Sequence, residues 1–411
     1  MLHAITLLNL AFPEHKPPYW QIDAYASAAP DFVGSRATIS DGQNVLRNGT
    51  NGWTCMPSNP KGPKDAANGW ADAQEAAPLC FDDAGLDWMK GWMTGSKPVM
   101  KRDAFVWMLA GDTGFDNFDP KIQDESESDP SRWVASGPHL MLFPKDVASL
   151  AAFTTDFLTG APYTMFSGTP YSHLMIPFPG YYDRIENGPK QTTVPVPNAP
   201  HNSAEWKIGA FSQAAPAFLA TNATITDGNS TLRNGTNGWT CTASNPNGPA
   251  DPEAGYASVK EAAPVCFDEA GLDWMKGWMG GSKPVMKRDA IVWMLAGDNG
   301  FDNSDPTKAS ANGSDTWVES GPHLMLFPKN PEDLAMIDSD FSMGTPYAMF
   351  AGYDFVHVMI PYTGYYDTAA PPGGLPPVIV VALLLVGVLI IAVVVFGQPS
   401  GTKAAPVPAM A

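Results

Sequence analysis

Four of the seven histidines occur in matched settings. His139 and His323 stand in Gly-Pro-His-Leu-Met-Leu-Phe-Pro, and His173 and His357 each precede a Met-Ile-Pro string. An imidazole titrates near neutrality, so it can act as general base, proton shuttle or ligand. Period-two alternation puts His173 on the strand face of Tyr171 and Met175. A ring in such apolar company is either a working group or a core histidine satisfied by a backbone carbonyl, and the core role is the commoner one. Asp112, Asp116 and Asp119 lie within Gly-Asp-Thr-Gly-Phe-Asp-Asn-Phe-Asp-Pro and return as Asp298, Asp302 and Asp305. Carboxylates this close could hold Ca²⁺, although the spacing is not that of an EF-hand. Asp, Asn, Gly and Pro are also what tight turns require, which favours turn chemistry. Of these groups we keep His139, His173, His323, His357, Asp112 and Asp298 as candidate binding residues, with no catalytic residue and no metal or other cofactor assigned.

Cysteine usage is equally regular. Cys55 and Cys80 are 25 residues apart, as are Cys241 and Cys266. One disulfide per pair is the economical expectation in an oxidising compartment, with buried free thiols as the alternative. A C-x-x-C or paired-His arrangement of the kind zinc needs is missing. The tryptophans, among them Trp53, Trp88, Trp92, Trp107 and Trp133, could form sugar- or partner-binding platforms, but their periodicity suits core positions better. Asn-x-Ser/Thr sites occur at Asn48, Asn222, Asn229, Asn234 and Asn312. P-loop, G-x-G, H-E-x-x-H and G-x-S-x-G strings do not occur, so no nucleotide or hydrolase signature points to an enzyme.

These residues pair because the chain is duplicated. Trp20-Gln-Ile-Asp-Ala-Tyr reappears as Trp206-Lys-Ile-Gly-Ala-Phe, and Ala76–Asp112 matches Ala262–Asp298 at 33 of 37 positions. Presumed surface positions agree as well as core ones, so identity between the copies does not single out a functional residue. The expected organisation is an N-terminal segment (1–18), a first module (19–183) and a Pro-rich linker (184–204). A second module (205–367), a Pro/Gly linker (368–377), an apolar run (378–396) and a short tail (397–411) follow. Each module is long enough to fold alone.

Within one module, Trp20 to Ala28 reads as a short helix, and Asp41-Gly42 between apolar runs reads as a hairpin turn. Asp82 to Met93 is a second helix, with acidic residues in its first turn and Gly95 beyond its end. Ala104 to Ala110 is a continuous apolar run suited to a strand buried on both faces. His139–Phe143, Tyr163–Phe166 and Tyr171–Ile176 are three more strands. Asp146 to Phe157 is expected to be helical, since its counterpart starts with Asn330 as cap and Pro331 at the first helical position. The fold class is therefore α+β: two homologous modules, each a mostly antiparallel sheet of five or six short strands with two or three helices, plus a C-terminal transmembrane helix.

Lys and Arg number 24 against 42 Asp and Glu, a net charge of −18, so phosphate backbones repel the chain and nucleic acid is excluded as a partner. Residues 378–396 carry no charged or polar side chain. At 1.5 Å per residue they reach about 28 Å, the thickness of a bilayer core. Lys403 weakly places the tail on the cytoplasmic or stromal side and the modules on the other. Met1 to Phe12 lacks a basic start and makes a poor signal peptide.

Gly-Thr-Asn-Gly-Trp-Thr-Cys55, Leu-Cys-Phe-Asp before the Trp-rich helix, Trp-Met-Leu-Ala-Gly-Asp112, Ser-Gly-Pro-His139-Leu-Met and Gly-Thr-Pro-Tyr-Ser-His173-Leu-Met-Ile-Pro together resemble a family of bacterial exported proteins of unknown function. A tandem pair of such modules is similar to the pyrenoid shell proteins of algae. The second copy departs from the motif, with Gly-Tyr-Asp-Phe-Val before His357, and the apolar tail is an addition to the pattern. The resemblance implies a structural protein that assembles with itself into a sheet in the chloroplast pyrenoid. Two other functions stay open: an extracytoplasmic, membrane-anchored binding module for glycan or Ca²⁺, and an enzyme built on His139 or His173.

Overall fold

A computed structural model describes residues 18–189, 192–312, 314 and 316–367. The expected transmembrane run at 378–396, its flanking tail and most of the N-terminal segment lie outside these residues. No helix among the described residues is long and apolar enough to cross a membrane.

The first copy opens with helix α1 (Pro18–Ala26) and the single turn α2 (Asp31–Gly34), followed by β1 (Thr38–Ser40), β2 (Val45–Arg47) and β3 (Thr54–Pro57). Next come the turn α3 (Ala73–Ala76), β4 (Pro78–Phe81), helix α4 (Asp83–Thr94) and β5 (Ala104–Met108). A two-stranded ribbon of β6 (Phe115–Asp116) and β7 (Trp133–Val134) precedes β8 (His139–Phe143), β9 (Tyr163–Met165) and β10 (His173–Pro177). Eight of these strands form one sheet in the order β2-β1-β3-β4-β5-β8-β10-β9. Every pairing is antiparallel except β1 with β3. The β1–β2 connection is the expected Asp-Gly turn. Asp41 Oδ1 accepts from the amides of Gln43 and Asn44 (2.8 and 2.6 Å), and Gly42 takes a φ of +91°. Helix α4 starts where Asp82 accepts from the Gly85 amide and ends at Gly95, which bonds back to Gly91 and Trp92.

The second copy repeats this plan with α5 (Ala204–Phe211), α6 (Ala217–Ala220), β11 (Thr224–Thr226), β12 (Thr231–Arg233), β13 (Thr240–Ala243), α7 (Val259–Ala262), β14 (Pro264–Phe267), α8 (Glu269–Met279), β15 (Ala290–Met294), β16 (Phe301–Asp302), β17 (Trp317–Val318), β18 (His323–Phe327), β19 (Tyr347–Met349) and β20 (His357–Pro361). Its sheet order is the same. Two similar sheet-rich modules with a few helices thus make up the described chain.

Three details differ from the sequence expectation. The sheets have eight strands rather than five or six, because β3 and β4 are four-residue segments, the first ending and the second beginning in a proline, and carry no long apolar signal. Asp146 to Phe157 is not an α-helix but a 3₁₀ turn (Val147–Ala152), and a second such turn (Phe157–Thr159) follows. The physical reason is that Thr154 between them gives its carbonyl to the Thr164 amide (2.7 Å), extending the sheet past β9. The counterpart is a 3₁₀ turn (Pro331–Leu334), and Asn330 donates to Asp333 rather than capping it.

Alternation along the strands creates two buried faces. Phe105, Trp107, Leu140, Leu142, Leu174 and Ile176 belong to one continuous core with Ile291, Trp293, Leu324, Leu326, Val358 and Ile360 of the second copy. The contacts across this junction are reciprocal. Phe218 rests on Gly160 and edge-on to Tyr182 (5.0 Å), while Phe32 rests on Gly344 and edge-on to Tyr366 (5.1 Å). Phe178 and its equivalent Tyr362 stack on each other at 4.4 Å. Exchanged contacts of this kind, with one pair meeting itself, define an approximate two-fold axis inside the chain.

Candidate functional site

The opposite face of each sheet carries the candidate histidines. On β8, His139, Met141 and Phe143 alternate with the inward-facing leucines, and all five positions are buried. Helix α4 lies over them and stacks Trp88 on Phe143 at 4.0 Å. His173 on β10 meets Trp88, Phe143 and Phe166 edge-on at 5.8, 5.4 and 5.3 Å. Between sheet and helix a cavity of about 80 Å³ remains, walled mainly by Met, Phe and Trp, with His139, His173 and Asp112 in its lining. The second copy has the equivalent cavity, about 130 Å³, with His323, His357 and Asp298. All six candidate binding residues therefore gather at two equivalent places.

Their hydrogen bonds define what each can do. His139 Nδ1 lies 2.7 Å from the Gly137 carbonyl and His323 Nδ1 2.7 Å from that of Gly321. A carbonyl only accepts, so the proton sits on Nδ1 and Nε2 presents a lone pair. Both Nε2 atoms are buried with no hydrogen-bond partner. His173 and His357 are held the same way through Nδ1, to Tyr171 and Phe355 carbonyls at 2.9 and 3.0 Å. Burial pushes all four imidazoles down to about 4, so they are neutral at pH 7.

Asp112 and Asp298 have a different task. Asp112 Oδ1 accepts from the amides of Gly114 (3.0 Å) and Ser136 (2.8 Å), and Asp298 Oδ1 accepts from those of Gly300 and Ser320 (both 2.9 Å). Each ties the loop after β5 or β15 to the approach to β8 or β18. Burial raises both carboxyls to about 6. Asp116 and Asp302 close their own turns, onto the amides of Phe118 and Asp119 and of Ser304 and Asp305. No group of three or more potential metal-ligating side chains occurs among the described residues.

The cysteines are bridged in both copies, Cys55–Cys80 and Cys241–Cys266. Each pair sits directly opposite on neighbouring strands, β3 with β4 and β13 with β14. Trp53, Trp88 and Trp107 are buried, so they are core residues rather than exposed platforms.

Sequence reasoning missed the methionine wall of the cavity, Met108, Met141, Met165 and Met175. The string His-x-Met-x-Phe on β8 was its visible trace. It also missed Phe166 and Phe350, which border the cavities with φ of +54° and +59°. Bulky residues rarely adopt this conformation, and here it recurs at the same place in both copies. Also unforeseen was a chain of buried hydroxyls, Tyr163 to Tyr181 (2.5 Å) to Ser136 (3.1 Å), repeated as Tyr347, Tyr365 and Ser320. No protein-family model, curated protein or solved structure matches the chain.

Proposed function

We propose that this chain is a structural, self-associating protein, a shell or lattice component tethered to a membrane through residues 378–396. The observation that carries the proposal is a pair of identical apolar prominences. In the last turn of α4 and α8 and in the segment that follows, the chain holds out Met93 and Val99, and Met279 and Val285, with exposures of 62, 83, 71 and 85%. These segments are pinned rather than loose. Met100 and Met286 anchor them in the core, and Gly91 and Gly277 lie so close to Pro98 and Pro284 that a Cβ would meet the proline at 2.7 Å. Lysines flank each one, Lys97 and Lys101 or Lys283 and Lys287, on a chain whose net charge is −18.

Fixed apolar side chains ringed by positive charge suit a contact with the acidic surface of another copy. The internal two-fold relation gives every chain two such prominences. Two outward contacts that do not close on themselves are what filaments and sheets require. The resemblance to pyrenoid shell proteins points the same way and would put the assembly in the chloroplast, whereas a fluorescent-tag signal at secretory membranes or the cell surface would favour an extracytoplasmic binding module instead.

The direct test is sedimentation and negative-stain microscopy of the purified protein. Extended assemblies are expected from the unaltered chain, short oligomers from Val99→Asp, and single chains from Val99→Asp/Val285→Asp. A strictly monomeric unaltered chain at high concentration would overturn the proposal.

A further inference from the structure

Beyond assembly, we infer that each copy contains a binding site for one small, uncharged, largely apolar or aromatic molecule bearing a single O–H or N–H donor, seated in the cavity under α4 or α8 with its donor on Nε2 of His139 or His323. Three observations carry this. The cavities measure about 80 and 130 Å³, and the larger approaches the engineered apolar cavity, about 150 Å³, that admits benzene. Their walls are mainly thioethers and aromatic rings, and methionine adapts readily to the shape of a guest. His139 and His323 are fully buried, and their Nε2 atoms are acceptors left unpaired in both copies. Leaving a buried acceptor unsatisfied is costly.

Water fits this place poorly. A buried water needs two to four polar partners, and these walls are mainly thioethers and aromatic rings around the fully buried, unpaired Nε2 of His139 or His323. A guest with one donor and a hydrocarbon body satisfies the nitrogen and fills the rest. Charged guests are disfavoured, because the neutral imidazole offers no counter-charge and the Asp112 and Asp298 carboxylates already accept from backbone amides.

The test uses the full chain and three probes of similar size: phenol, anisole and toluene. Equilibrium dialysis should show saturable uptake of phenol, tending to two molecules per chain, with affinity about tenfold or more above that of anisole, which lacks the donor. This comparison needs no variant. His139→Phe/His323→Phe should abolish the preference for phenol while toluene still binds, and retained toluene uptake reports that the fold is intact. Met141→Trp/Met325→Trp should fill both cavities and remove all three. Equal binding of phenol and anisole, or no saturable uptake of any probe, would overturn the inference. Neither result bears on whether the chain assembles.

Discussion

Phe178 lies where the two copies meet, fully buried, stacked on Tyr362 at 4.4 Å and flanked by Trp107 and Trp293 at 5.7 and 5.5 Å. Phe178→Ala removes a ring whose neighbours belong to both sheets, so neither sheet can collapse alone to refill the space. Truncations of this kind cost about 3–5 kcal/mol. Taking the middle of that range, the unfolding constant rises about a thousandfold, and the urea midpoint falls by on the order of 1 M. The assay is urea unfolding followed by tryptophan emission and near-ultraviolet circular dichroism. Because the inner faces share one core, the unaltered chain should unfold in one transition by both probes, and Phe178→Ala should shift that transition as a whole. Tyr362→Ala should act similarly. The double variant should fall short of the sum by about 1 kcal/mol, the size of a direct ring–ring coupling. A loss below about 1 kcal/mol, or a variant in which one copy melts early while the other keeps its midpoint, would refute the shared-core argument.

Other outcomes follow from single features. Cys55→Ala/Cys80→Ala opens a loop of 25 residues, and chain entropy puts the loss at about 3.5 kcal/mol, readable as a lower urea midpoint that reductant lowers further only through the remaining Cys241–Cys266 bridge. Gly114→Ala should destabilise by more than about 3 kcal/mol, because Gly114 has φ +105° and a Cβ would stand 2.4 Å from the Trp133 ring; Gly300→Ala against Trp317 should match it in thermal melts. The four cavity histidines stay unprotonated in the folded chain down to about pH 4, whereas unfolded they bind a proton near pH 6.5, so they withdraw stability as pH falls from about 6.5 to 4. Asp112 and Asp298, raised to about 6, act in the opposite sense, since the folded chain takes up their protons first and gains stability as pH falls through about 6. His139→Phe/His323→Phe should therefore reduce the acid loss by up to about two protons' worth of slope in urea titrations between about pH 4.5 and 7; an unchanged slope would contradict the neutral, buried state of these rings.

The duplication, the acidic balance, the Asp41-Gly42 hairpin, the extent of α4 and the cores of β5, β8, β9 and β10 were legible in the amino-acid order, because repeats, turn residues and apolar periodicity are local properties. So was the equivalence of the cysteine pairs, though not that each would lie cross-strand between β3 and β4 or β13 and β14. The division of labour within His139–Phe143 was not legible. All five residues are buried, so alternation between polar and apolar types could not show which face meets the other copy and which borders a cavity. Asp112 looked like either a ligand or a turn residue until the chain brought it to the Ser136 amide, 24 positions away. The predicted helix at Asp146–Phe157 gave way because Thr154 is taken up by the edge of the sheet, a contact that no local propensity encodes. Composition and period determined which segments could be strands and helices. Packing two sheets back to back across a two-fold axis decided which side chains became core, which became cavity wall, and which were left facing solvent.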